Sequence, residues 1–177
     1  MMFTQKPTIG VVGANETTSQ QLQSAFELGE HIAARGALLV CGGKGGIMEA
    51  ASKGASSNNG TVIGILPSTD KAEANPYVTI AIPTGLGIAR NALVVHSSDV
   101  LIAFPGLYGT LSEIAIALAL KKTVICMPGA WDLKKIAPVD TGIFKEASDA
   151  RQAIGLALTA LSSKDNSEDF DPNALPF

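Results

Sequence analysis

The sequence predicts an α/β fold with a doubly wound, mostly parallel sheet of about six to seven strands and helices on both faces. Short runs rich in valine and isoleucine recur along the chain and do not alternate with polar residues. Such runs are typical of parallel strands that helices cover on both sides. Segments with the periodicity of amphipathic helices separate the runs, and this alternation of strand and helix is the pattern of a doubly wound sheet.

Six runs are predicted as strands and five segments as helices. A capping box, Thr18 with Gln21, is predicted at the start of the first helix. The predicted strands are 8–12 (TIGVV), 37–41 (ALLVC), 61–66 (TVIGIL), 77–82 (YVTIAI), 100–104 (VLIAF) and 123–127 (TVICM). The predicted helices are 18–35, 46–57, 86–97, 110–121 and 147–162.

The length and the charge favour a single domain. A chain of 177 residues can bury a sizeable core, and neither an internal repeat nor a linker divides it. We expect one ligand-binding domain over residues 1–162 and an acidic, polar tail over residues 163–177. The tail carries Lys164 against four carboxylates, which accounts for the net charge of −3. The domain is neutral, so no partner is expected among nucleic acids or membranes.

Composition also bears on location and metal binding. No apolar run reaches the roughly 18 residues of a membrane span, and the N-terminus lacks a signal peptide's apolar stretch, so a cytoplasmic protein is expected. Cys41 and Cys126 each close an apolar run and are predicted to be buried free thiols. His31 and His96 are distant in sequence, so no metal bound directly by side chains is expected.

Glycine-rich loops follow three of the predicted strands, at the edge where ligands bind in this class of fold. They read GANETT, CGGKGG and PGLYGT. Glycine lets the backbone approach a ligand closely, and the next helix presents free N–H groups that favour a phosphate. The alternative is that these glycines only form tight turns. Because neither a Walker A loop nor a full dinucleotide fingerprint is present, a mononucleotide-like phosphate is expected, on residues 42–46 or on residues 106–110.

Arg90 is the candidate cationic partner of that phosphate. It is predicted in the first turn of the helix over 86–97, among Ala, Leu, Val and Ile. A cation there opposes the preference of the helix dipole. A contact with a phosphate or carboxylate ligand explains this position better than a solvated surface charge does.

Glu113 has two possible roles. Thr110 and Glu113 have the T-x-x-E spacing of a capping box before the apolar run IAIALAL, a role worth on the order of 1 kcal/mol. The same position places Glu113 near the cleft that Arg90 is expected to face. Capping is the favoured role, and catalysis is the alternative.

Three stretches, in this order and spacing, carry a resemblance to a known group. CGGKGGIMEAASKGA, PTGLGIARN and PGLYGTLSEIAIAL resemble the Rossmann-like superfamily of LONELY GUY-type phosphoribohydrolases, some members of which were once labelled lysine decarboxylases. The chain is most similar to its molybdenum cofactor carrier branch, over residues 7–160. Lysine decarboxylation itself would need a Schiff-base lysine for pyridoxal phosphate, which nothing around the lysines suggests.

In the hydrolases, the resemblance implies a catalytic pair at Arg90 and Glu113, in which the glutamate stabilises an oxocarbenium-like sugar. The hydrolase pattern PGGxGTxxE has Leu107 here in place of its second glycine. Their HERK-like arginine motif reads IARN here, so that Ala89 and Asn91 replace its polar neighbours. The resemblance therefore favours a binding protein over an enzyme.

The leading hypothesis is a carrier or storage protein for the molybdenum cofactor, a phosphorylated pyranopterin. The alternatives are a phosphoribohydrolase acting on nucleoside 5′-monophosphates and a non-catalytic nucleotide-binding protein. The resemblance also implies a homo-oligomer, a tetramer or dimer, and molybdoenzymes that receive the cofactor. The candidate ligand-binding residues are Gly13, Ala14, Asn15, Gly42, Gly43, Lys44, Gly45, Gly46, Ile47, Met48, Thr84, Gly85, Arg90, Asn91, Pro105, Gly106, Leu107, Tyr108, Gly109, Thr110 and Glu113.

Overall fold

The structure is a computed structural model that describes residues 5–135 and 140–164. Its strands are β1 (Thr8–Val12), β2 (Leu38–Cys41), β3 (Val62–Leu66), β4 (Ile80–Pro83), β5 (Val100–Ala103), β6 (Thr123–Cys126) and β7 (Phe144–Glu146). Its α-helices are α1 (Ser19–Ala34), α2 (Ile47–Ser57), α3 (Asn91–His96), α4 (Tyr108–Ala119) and α5 (Ala150–Lys164).

The strands form one seven-stranded sheet in the order β4-β3-β2-β1-β5-β6-β7. Every neighbouring pair is parallel, so the predicted α/β, doubly wound fold is confirmed. Strand β7 was not predicted, because its three residues, FKE, include a single apolar side chain. The order of strands reverses between β1 and β5, which creates a switch point at the centre of the sheet.

Helices cover both faces of the sheet. On one face, α1, α2 and α5 pack against Ile9, Val11 and Ile102. On the other face, α3 and α4 pack against Leu101 and Ala103. Neighbouring residues of β5 thus point to opposite cores, which is why its sequence is apolar throughout.

Two local predictions need correction. The helix expected over 86–97 is interrupted: a 3₁₀ helix, Gly87–Arg90, precedes α3. Gly87 has φ of +54°, which lies outside the α-helical region, so no α-helix runs through this residue. The α-helix itself starts at Asn91. Half of the Thr18 capping box is present, because the Thr18 hydroxyl accepts from the Gln21 amide at 3.3 Å. The Gln21 side chain bonds instead to the Thr17 hydroxyl.

Other predictions concern the thiols, the membrane and the tail. Cys41 and Cys126 are free and buried, as predicted. Within the described part of the chain, none of the helices is long and apolar enough to cross a bilayer. The same residues contain no group of three or more His, Cys, Asp or Glu side chains that could bind a metal. Most of the predicted acidic tail lies outside the described residues, after α5 ends at Lys164.

Candidate ligand-binding site

A cavity of about 780 Å³ opens at the switch point, where the loops after β1 and β5 meet. The two strands pair directly, with Val12 opposite Ala103, so their carboxyl ends lie side by side. Four helices, α1, α2, α3 and α4, place residues of their first turns in the cavity lining. The cavity is lined by twelve of the predicted ligand-binding residues: Gly13, Ala14, Asn15, Met48, Arg90, Asn91, Pro105, Gly106, Leu107, Gly109, Thr110 and Glu113.

Arg90 and Glu113 form a buried ion pair in this cavity. The Arg90 Nη1 and Glu113 Oε1 atoms are 3.6 Å apart, and the two side chains are 11% and 7% exposed. The Nε atom of Arg90 is buried and has no hydrogen-bond partner among the described residues. A buried donor without a partner is energetically costly. An anionic ligand that accepted a hydrogen bond from this N–H group would remove that cost.

Burial dominates the electrostatics of the pair. It raises the pKa of Glu113 to about 7, and the nearby Arg90 charge only partly opposes this rise. Burial also lowers the pKa of Arg90, with Glu113 acting in the opposite direction. Near neutral pH Glu113 is therefore poised between its neutral and charged forms, which is typical of a functional site.

The Arg90 guanidinium packs against the backbone of Gly42 at the end of β2. A Cβ atom at position 42 would overlap the guanidinium group. Gly42 therefore gives the arginine room to enter the cavity from the side of the sheet. The buried Cys41 precedes it, and desolvation raises the pKa of its thiol, so that thiol remains neutral and apolar.

Gly42→Ala should displace the Arg90 guanidinium and weaken anion binding by about tenfold or more, since a charge-assisted contact would be lost. The change requires no unfavourable φ, because Gly42 is not among the residues with positive φ. Gly45→Ala is the matched control, because the nearest atom to its added Cβ, Oε2 of Glu49, is 3.8 Å away. Titration calorimetry with inorganic phosphate or AMP measures the effect. Equal affinity in the two variants would contradict this role for Gly42.

The favoured capping role of Glu113 is wrong. Helix α4 begins at Tyr108, two residues before the predicted start, and its N-cap residue is Leu107 without a side-chain cap. Thr110 is therefore the third residue of the helix and Glu113 the sixth, too far along to cap it. The helix turns Glu113 inward, where it is 5% exposed and faces Arg90.

The first turn of α4 presents backbone amides to the cavity. The N–H groups of Tyr108, Gly109 and Thr110 have no acceptor within the helix, and Gly109 and Thr110 line the cavity. Asn91 braces this turn: its Nδ2 donates to the Ser112 hydroxyl at 3.0 Å and to the Gly109 carbonyl at 3.3 Å. The helix N-terminus and Arg90 together form a positive region suited to a phosphate.

The CGGKGG loop lies outside the cavity lining and contacts neighbouring loops. The Ile47 amide, at the start of α2, donates to the Ala14 carbonyl at 3.0 Å. The Lys44 ammonium lies 2.6 Å from a carboxylate oxygen of Glu73 in the partly exposed loop. The glycines thus bring the loops after β1 and β2 together. The predicted residues outside the cavity lining are Gly42, Gly43, Lys44, Gly45, Gly46, Ile47, Thr84, Gly85 and Tyr108.

Two groups of residues at the site were not predicted. Glu16, Thr17, Thr18 and Gln21 line the cavity at the start of α1. The polar run GANETT could have indicated them, had the loop been considered beyond Asn15. The second is Trp131, whose Nε1 donates to the Gly106 carbonyl at 2.9 Å. No local pattern indicates that contact, because the partners are 25 residues apart.

The chain matches a known protein family along most of its length. The SLOG cluster4 family model matches residues 6–166, almost the whole described region. The chain belongs to the SLOG cluster4 family. This membership confirms the superfamily that the three glycine-rich stretches indicate.

Solved structures of similar proteins share the fold. The molybdenum cofactor binding protein of Rippkaea orientalis is 41% identical with a TM-score of 0.83, over 89% of this chain and 99% of that one. The molybdenum cofactor carrier protein of Chlamydomonas reinhardtii is 40% identical with a TM-score of 0.80, over the same shares. A probable cytokinin riboside 5′-monophosphate phosphoribohydrolase of Oryza sativa subsp. japonica is 33% identical, over 54% of this chain and 44% of its own length. The resemblance to the carrier branch is therefore the more extensive.

Proposed function

We propose that this protein binds the molybdenum cofactor in the cavity where the loops after β1 and β5 meet, and that it carries or stores the cofactor. The observation that carries the proposal is the buried Arg90 guanidinium, with its unpartnered Nε, beside the first turn of α4. The similarity to two proteins named for binding or carrying this cofactor supports the identity of the ligand. The cofactor acts here as cargo, so the protein needs affinity for it and no chemistry upon it.

The chemistry of the cavity suits a phosphorylated heterocycle. The phosphate would pair with Arg90 and accept from the Gly109 and Thr110 amides. The pterin would extend toward Gln21 and its neighbours at the start of α1, which offer hydroxyl, amide and carboxylate groups to its polar edge. A volume of about 780 Å³ falls within the usual range for small-molecule sites.

Transfer of the cofactor tests this function directly. Ligand-free protein would be incubated anaerobically with cofactor released from a denatured molybdoenzyme and then separated by gel filtration. We expect molybdenum to co-elute with the protein and the complex to reconstitute an apo-molybdoenzyme. Elution of all the molybdenum in the free fraction, with Arg90→Ala and wild type alike, would contradict the proposal.

A phosphoribohydrolase is the second candidate, and one specific observation favours it. The ion pair of Arg90 and Glu113 matches the catalytic pair implied by the resemblance to hydrolases, and the pKa of Glu113 near 7 suits acid–base work at neutral pH. However, Asn91 replaces a polar neighbour of the hydrolase arginine motif, and its amide donates to Gly109 and Ser112 of α4 instead of adding a charge beside the pair. This reduced set of polar neighbours favours binding over cleavage.

Turnover separates the two candidates. The protein would be incubated with AMP and with cytokinin riboside monophosphates, and free base and ribose 5-phosphate would be measured. The carrier proposal expects no release above the rate of Glu113→Gln. Release by wild type that Glu113→Gln abolishes would establish the hydrolase instead. Binding of AMP without release, and without retention of the cofactor, would indicate a non-catalytic nucleotide-binding protein.

We also propose that the protein assembles with itself, as a tetramer or dimer, and delivers its cargo to molybdoenzymes. Large apolar side chains are exposed on the β4 edge and the adjoining loop, including Ile80, Ile82, Leu86 and Ile88, the last of which is 71% exposed. Contiguous exposed apolar surface commonly marks a protein interface. Sedimentation velocity tests the assembly, and a monomer at micromolar concentration would contradict it.

A further inference from the structure

The segment that follows β6 lies over the loop that follows β5. The Met127 amide donates to the Ala103 carbonyl at 2.8 Å, which extends the contact between the two strands. The next turn contains Gly129, with φ of +81°. A Cβ atom on Gly129 would lie 3.4 Å from Cγ of Pro105, so the turn is in close contact with that residue. We name residues 127–133 the β6 strap.

Trp131 of the β6 strap connects the hydrophobic core to the ligand-facing loop. Its side chain packs on the core cluster beneath α3 and α4. Its indole Nε1 donates to the Gly106 carbonyl at 2.9 Å. At the other end, the Cys126 thiol contacts the Trp131 carbonyl at 3.7 Å. The indole ring therefore packs against the core with one side, and its N–H group is hydrogen-bonded to the loop after β5.

The peptide groups on both sides of Gly106 are hydrogen-bonded. The carbonyl of the preceding Pro105 accepts from the Ala14 amide at 3.0 Å, and the Gly106 carbonyl accepts from Trp131. Both Pro105 and Gly106 line the cavity, and α4 begins two residues later. The orientation of these peptides therefore sets the direction in which the chain enters α4 and presents its first amides.

We infer that Trp131 is a positioning residue for the proposed ligand site: its indole N–H fixes the Gly106 peptide and so aims the first amides of α4 at the phosphate. The inference rests on the proposed function but concerns only the part of the ligand that is phosphorylated. Trp131 acts through Gly106 and does not line the cavity. It is the only tryptophan of the chain, so its fluorescence reports on this loop alone.

Trp131→Phe keeps an aromatic ring in the core and removes the N–H donor. We expect it to weaken binding of inorganic phosphate and of neopterin monophosphate by about three- to tenfold, the usual consequence of losing one hydrogen bond. Binding of unphosphorylated neopterin should be unchanged, because that ligand lacks the phosphate that would contact the α4 amides. In wild type, both phosphate probes should shift the tryptophan emission.

The control is Phe144→Leu, which removes packing from the same core cluster without touching the loop. We expect it to lower stability while leaving the ratio of affinities for neopterin monophosphate and neopterin unchanged. If Trp131→Phe lowers both affinities equally, or neither, the positioning role is overturned. Retention of the molybdenum cofactor by wild type would leave the proposed function standing in that case. Failure of wild type both to bind the phosphorylated probes and to retain the molybdenum cofactor would overturn the inference and the proposed function together.

Discussion

Arg90→Ala should weaken binding of the phosphorylated ligand by about 2 kcal/mol or more, roughly thirtyfold, as measured by titration calorimetry. The side chain is 11% exposed, and its Nε lacks a partner among the described residues. Without the guanidinium, a buried phosphate would lose its cationic partner, and desolvated charge without a partner is strongly unfavourable. Inorganic phosphate, AMP and neopterin monophosphate are suitable probes.

Two further variants test whether the loss of affinity in Arg90→Ala comes from the guanidinium group itself. Arg90→Lys retains the positive charge but lacks the planar fork of donors, so it should restore only part of the affinity. Arg35→Ala removes a charge from the exposed end of α1, away from the cavity, and should leave the affinity unchanged. Equal affinities for wild type and Arg90→Ala would refute the assignment of Arg90 as the phosphate partner.

Removal of Arg90 should also raise the pKa of Glu113. The Arg90 charge lowers the pKa of this glutamate, although burial outweighs it and the net value is about 7. In Arg90→Ala we therefore expect the pKa of Glu113 to rise further. Titration of the Glu113 carboxyl by NMR, compared between wild type and Arg90→Ala, measures this shift.

Glu113→Gln should make the protein more stable than wild type above pH 7, because the glutamine cannot acquire a buried negative charge. The pKa of Glu113 is about 7 in the folded protein, against an ordinary value of 4.5. The folded state therefore binds more protons than the unfolded state between these values, and raising the pH through this window lowers the free energy of unfolding. Above pH 7, the neutral glutamine variant should be more stable than wild type by up to about 3 kcal/mol. Below pH 4.5 this difference should disappear.

Chemical denaturation at pH values from below 4.5 up to 8.5 measures this difference. The control is Glu73→Gln, because the ion pair with Lys44 lowers the pKa of Glu73. The pH dependence of stability is therefore opposite for Glu73. Its favourable contribution to stability is present above its ordinary pKa and is lost as the pH falls. Replacing Glu73 should therefore not stabilise the protein at pH 8. Parallel stability curves for wild type and Glu113→Gln would show that the glutamate is ionised throughout.

The strands and the glycine-rich loops could be predicted because their signals are local. All six predicted strands are present, with boundaries shifted by three residues at most. Valine and isoleucine favour a buried strand wherever they occur in short runs, and glycine favours a loop at the strand's end. The choice of Arg90 as a candidate also came from local reasoning, since a cation among apolar residues at a helix start needs an explanation. The structure places this side chain in the cavity, beside Glu113.

The interpretation of Glu113 failed for a physical reason. The T-x-x-E spacing marks a helix start only if the helix begins at the threonine, and α4 begins two residues earlier. At the sixth helical position the side chain faces inward, because a helix turns about 100° at each residue. It then lies in a buried site beside Arg90, which is 23 positions earlier in the chain.

The sequence by itself determined the class of fold, the buried thiols and the set of loops from which a ligand site could be built, because these depend on interactions among near neighbours. Only the tertiary structure decided which loops form the site. Strand β5 pairs with β1, so the loops at Ala14 and Gly106 meet, while the CGGKGG loop packs against Ala14 and Arg90 fills the space beside Gly42. Strand order joins residues some ninety positions apart, as in the pairing of Val12 with Ala103, and no pattern confined to a few residues encodes such a contact.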